Sequence, residues 1–84
     1  MTRSVFLFSY GVFIQCLVDA RTGAGVTQWD LATMLQRPQS FISKVERGDR
    51  CLDVIEFLQI TAALNVKPEP IIQAVLEALA TDQN

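Results

Sequence analysis

Histidine is absent from the 84 residues. That excludes imidazole acid–base catalysis, Ser–His and Cys–His nucleophile pairs and histidine-ligated metals. Cysteine is scarce as well. Cys16 and Cys51 are too few for a disulfide scaffold or a four-cysteine zinc site, and they fit a reduced, cytoplasmic chain. With no catalytic constellation, metal site or cofactor motif, the expected protein is not an enzyme and uses no cofactor. Charged residues make up only 19% of the chain while half is apolar, with a mean hydropathy of +0.27. Such a composition excludes disorder. There is no repeat, low-complexity tract or linker, so residues 1–84 read as one small domain. A chain of this size buries about 60–65% of its unfolded surface, so its core is either efficient or shared with a partner.

The N-terminus loosely imitates a secretory signal: Arg3, then Val5-Phe-Leu-Phe and Val12-Phe-Ile, ending near Val18-Asp-Ala20. Ser9, Tyr10, Gly11 and Gln15 interrupt the apolar run, which is too short and too polar to span a bilayer. Cleavage after Ala20 would also remove apolar residues that the remainder could hardly spare. The segment is therefore assigned to the fold, and no membrane association is expected.

Net charge is −2 and the sequence pI 4.8, unlike a nucleic-acid binder taken whole. The distribution is more informative than the sum. Arg37, Lys44, Arg47 and Arg50, four of the seven basic residues, fall within fourteen positions, whereas residues 51–84 set Lys67 against five carboxylates. Taken alone, the basic stretch could equally be a solvated turn.

Phe13, Leu17 and Ala20 recur at helical spacing and predict a helix over about 10–22, ended by Gly23-Ala-Gly25. Thr27 is the expected N-cap of a short helix 28–35, with Asp30 completing a near capping box and Leu31, Ala32, Met34 and Leu35 on its buried face. Pro38 stops that helix and suits the first turn of the next, about 38–46, which Gly48 releases. Asp53 with Glu56 caps a fourth helix through Leu64, where Asn65 takes the left-handed conformation. Pro68 and Pro70 open a fifth over about 70–80. Only Val5–Phe8 could form a strand, so the expected class is all-α with a short extended N-terminal arm.

On a wheel of 100° per residue, Ile42 and Val45 point inward at about 240–300° from Gln39. Gln39, Ser43, Arg47, Ser40 and Lys44 spread over about 0–140°, a face of amides, hydroxyls and cations without a carboxylate. These groups hydrogen-bond base edges. An ordinary solvated face mixes Glu with Lys in i,i+4 pairs.

The run TQWDLATMLQRPQSFISKVERGDR, residues 27–50, resembles the Xre/Cro-type helix-turn-helix family of bacterial and phage transcriptional regulators, and the similarity extends over roughly 12–72. Gln28, Leu31-Ala32, Leu35, Gln39-Ser40, Ile42-Ser43, Glu46-Arg47-Gly48 and Leu52-Asp53-Val54 match in register. The resemblance implies a compact five-helix, lambda-repressor-like bundle in which the pair 28–46 carries the recognition helix, 38–46. It implies that Gln39, Ser40, Ser43 and Lys44 face bases. Thr27 and Gln28, at a helix N-terminus, and Arg37, Arg47 and Arg50 would hold phosphates. Arg21 and Glu46 occupy positions that the family pairs as a structural ion pair.

Three positions depart from the family pattern. Gln36 stands where the tight turn usually has Gly, and a left-handed backbone there would cost about 1–2 kcal/mol. Pro38 replaces the frequent hydroxyl N-cap, and Cys51 a common basic residue. Trp29 and Phe41 are expected to pack at the flank of the helix pair, and the cysteines to be idle thiols rather than a redox switch. Ile72, Val75, Leu76 and Leu79 form an apolar stripe that either closes the monomer core or forms a dimer seam. A two-fold dimer would read two half-sites about 34 Å apart. The expectation is a homodimeric, sequence-specific regulator of double-stranded operator DNA, a repressor or autoregulator. The alternative is an antitoxin or adaptor whose apolar stripe grips a toxin or other protein partner.

Overall fold

A computed structural model describes residues 7–82 as five helices. They are α1 (Leu7–Gly23), α2 (Gln28–Leu35), α3 (Gln39–Glu46), α4 (Val54–Leu64) and α5 (Glu69–Asp82). Among the described residues there is no strand. α1 reaches Leu7, three residues before the expected start, so Leu7 and Phe8 are helical rather than part of a strand; the rest of the expected arm lies outside the described residues.

The helix ends follow from local chemistry. Thr27 Oγ1 accepts from the Asp30 N–H at 3.0 Å while the Asp30 carboxylate accepts from the Thr27 N–H at 3.1 Å, and Asp53 and Glu56 repeat this reciprocal cap on α4. Pro38 is the N-cap of α3 rather than its first helical residue: its ψ of 149° is extended and its carbonyl accepts from the Phe41 N–H. α1 to α4 are each followed, within two residues, by a residue with positive φ: Gly25, Gln36, Gly48 and Asn65. In each case the next N–H reaches five residues back, as in Val26 to Arg21, Arg37 to Ala32, Asp49 to Lys44 and Val66 to Thr61. Gln36, at φ 57°, therefore occupies a position suited to glycine.

α1 packs along α5, and α2 lies against α3 and α4. Each helix feeds one core: Ile14 and Leu17, Leu31 and Ala32, Phe41, Ile42 and Val45, Phe57, Ile60 and Leu64, and Ile71. Burying a side chain of this kind contributes about 1.5–3 kcal/mol. Phe13 meets Phe57 edge-on at 5.3 Å, tying α1 to α4. Asp82 accepts from the Ser9 N–H at 3.1 Å, joining the end of α5 to the start of α1 and placing a carboxylate at the positive end of α1. Two packing expectations fail: Met34, placed on the buried face of α2, is 51% exposed, and Trp29, placed against the flank of the helix pair, is 69% exposed. Short α2 turns only Leu31 and Ala32 fully inward, and neither larger side chain finds a neighbouring helix to cover it. No described helix is long and apolar enough to cross a membrane.

Candidate nucleic-acid interface

α3 is held in place by its apolar side. Phe41, Ile42 and Val45 are buried at 9%, 1% and 2% exposure, which fixes the helix's rotation about its axis. Its opposite side then faces solvent: Ser40 and Lys44 are exposed, Gln39 and Ser43 half-buried. Among the described residues neither Ser40 nor Lys44 is engaged by another side chain. The Ser43 hydroxyl accepts from Arg47 Nη1 at 2.7 Å, and Arg47 also reaches Asp49 at 3.0 Å.

A chain of hydrogen bonds runs from the core to this face. Arg21 and Glu46 form a two-pronged ion pair, Nε to Oε2 at 2.6 Å and Nη2 to Oε1 at 3.0 Å, with side chains only 12% and 11% exposed. Arg21 Nη1 also donates to the Val26 carbonyl. Gln28 donates its amide to Glu46 Oε1 at 2.9 Å, and Gln39 donates to Gln28 Oε1 at 2.7 Å. An ionised carboxylate only accepts, so it fixes which end of the Gln28 amide faces it, and Gln28 in turn fixes Gln39. Gln39 keeps its carbonyl oxygen and one N–H free, the pair that a bidentate contact to adenine needs. The family resemblance carries the Arg21–Glu46 pairing, but composition and spacing gave no signal that it oriented the α3 amide.

The two other arginines expected to hold phosphate lie at the two ends of α3. Arg37, in the turn before it, and Arg50, in the loop after it, both bond Glu56, at 3.0 Å and at 2.7 and 3.0 Å. Their guanidinium carbons lie 4.3 and 4.8 Å from the centroid of the Phe41 ring. The Arg50 hydrogen bonds, then the Asp53 N–H, hold the Glu56 carboxyl down to about 2. The sequence marked Glu56 only as a cap, since no helical period links it to Arg37 or Arg50. Phe41 is a packing residue, as expected. Thr27, exposed, accepts the α2 cap bond on its hydroxyl oxygen, which leaves its O–H to donate outward. Cys16 is half-buried and Cys51 exposed, both as free thiols. Among the described residues no group of three acidic or cysteine side chains could hold a metal.

The stripe on α5 divides. Ile72 and Leu76 are 46% and 55% exposed, while Val75 and Leu79 are half-buried, both beside α1 and Val75 also beside α4. Ile72 and Leu76 adjoin Val54 and Leu58 of α4 around an apolar groove of about 370 Å³ floored by Phe13 and Phe57.

Two short helices at the turn 36–38, the second bearing a polar outward face, define a helix-turn-helix module. A profile of the helix-turn-helix family matches residues 17–71. A solved Xre-family-like protein from Pseudomonas syringae pv. tomato str. DC3000 superposes with a TM-score of 0.82 at 37% identity, covering 90% of this chain and 93% of that one. Curated proteins yield no significant match. The chain belongs to the Xre-type helix-turn-helix family of DNA-binding regulators.

Proposed function

We propose that the protein is a homodimeric, cytoplasmic repressor or autoregulator that reads a two-fold operator by laying α3 in the major groove. The observation that carries this reading is the α3 outer face, on which a fixed amide, two hydroxyls and a free ammonium sit without a carboxylate among them. Gln39, Ser40, Ser43 and Lys44 contact base edges. Phosphates are held by Thr27 and Gln28 at the α2 N-terminus and by Arg37, Arg47 and Arg50 around α3. Arg21 and Glu46 stay structural, since both are nearly buried and mutually satisfied.

One α3 helix spans only a few base pairs, and each good bidentate contact discriminates by about 1–3 kcal/mol, so a second copy is needed for useful selectivity. Ile72, Val75, Leu76 and Leu79 form its seam, supported by the exposed apolar side chains beside them on α4. The same exposed face favours a second reading, in which it receives an unlike protein such as a toxin. Selection of bound fragments from a random duplex pool tests both. The regulator reading expects an inverted repeat with half-sites about 10 base pairs apart. An enriched site without symmetry would remove the dimer, and no enrichment would remove the regulator.

A further inference from the structure

Arg37 and Arg50 lie on either side of α3 in sequence yet converge on one carboxylate and one ring. We propose that the two arginines form a single seat for one phosphodiester group of bound DNA, with Glu56 as the positioning residue that holds both guanidiniums together from beneath. This rests on the DNA-reading function above and adds to it that the two cations act as one site.

Exposure orders the groups in depth. The Arg37 and Arg50 side chains are 38% and 40% exposed, whereas Glu56 is 10% exposed beneath them. The donors support the same arrangement. Arg50 uses Nη1 on the Cys51 carbonyl and Glu56 Oε1, and one Nη2 hydrogen on Oε2. Its Nε–H and second Nη2–H stay open, and Arg37 commits a single N–H of its five. Both Nη2 atoms lie 3.0 Å from the same Glu56 oxygen, so they are within twice that distance of each other. A phosphate accepting N–H bonds of about 2.8 Å on two oxygens spans such a gap. The Phe41 ring beneath both planar cations restricts them further without consuming a donor.

Charge makes the seat cooperative. Two guanidiniums over one carboxylate leave a surplus of one positive charge, which one phosphodiester neutralises. Removing either arginine leaves the other balanced by Glu56 and abolishes the whole surplus.

The test is a cycle of Arg37→Ala, Arg50→Ala and the double variant in the full chain, with affinity measured against salt on the duplex it selects and on an unrelated one. Each single variant should lose about tenfold on both duplexes. The double variant should lose little more, and the slope of log K against log salt should become shallower by about 0.9 in all three. In a Glu56→Gln background the two arginine substitutions should instead multiply, because nothing gathers the cations. Multiplying losses in the native background, with the slope flattening twice as much in the double variant, would mean two separate phosphates and overturn the shared seat. Unchanged binding in both single variants would leave the ion pairs as a brace between the turn and α4, and a loss confined to the selected duplex would mean base contact; either result overturns the proposal. If Glu56→Gln does not fold, as read by circular dichroism, the native-background cycle decides alone. A wild-type chain that binds no duplex removes the DNA reading itself, an outcome distinct from independent arginines.

Discussion

Glu46→Ala removes one side chain from α3 and strips two others of their partner. Arg21 loses both prongs of its ion pair and retains only the Val26 carbonyl, and Gln28 loses the acceptor that orients its amide. Both members of the pair are close to fully buried, so water replaces the carboxylate poorly. Breaking a buried pair from one side costs about 3–5 kcal/mol, and the slight exposure here places the loss near the lower end, about 3 kcal/mol. At 4–8 °C per kcal/mol for a domain of this size, the melting temperature should fall by roughly 12–24 °C. The loss should persist at high salt, because buried pairs are weakly screened. Asp49→Ala is the control: it breaks the Arg47–Asp49 pair, whose side chains are 58% and 60% exposed, and should change stability by under ~1 kcal/mol. Replacing Arg21 and Glu46 together by Met and Leu should recover most of the stability, because no stranded charge remains. Thermal unfolding followed by circular dichroism reads all of these. A Glu46→Ala melting temperature within ~3 °C of wild type would refute the view that this pair anchors α3.

Lys44→Ala should leave the melting temperature unchanged, since the side chain is exposed, and weaken binding to the selected duplex by about 1–3 kcal/mol; equal losses on random DNA, read by titration, would make it a phosphate contact. Gln36→Gly should relieve the left-handed strain at φ 57° and raise stability by about 1 kcal/mol, visible as a rise of several degrees in melting temperature. Acid should weaken the fold through Glu56, whose carboxyl lies near 2 in the folded chain against a usual 4.5. Below pH 4.5 the unfolded chain takes up the proton first, so this contribution is intact above 4.5, erodes as pH falls and is gone below about 2. Melting temperatures of wild type and Glu56→Gln should converge over that interval.

The sequence alone determined where the chain turns. Thr27 with Asp30 and Asp53 with Glu56 cap their helices through neighbours three residues away, and Gly25, Gly48 and Asn65 release theirs through local backbone preference. Periodicity likewise set the α3 faces, because Ile42 and Val45 bury the side opposite Ser40 and Lys44 wherever that helix packs. Local rules fell short at Trp29 and Met34, where burial depends on whether another helix happens to cover α2. Only the tertiary structure brought Arg37, Phe41, Arg50 and Glu56 into contact and linked Arg21 through Glu46 and Gln28 to Gln39. Those contacts join residues on different helices and loops. Their partners are chosen by the angle at which buried faces meet, a quantity that no single segment encodes.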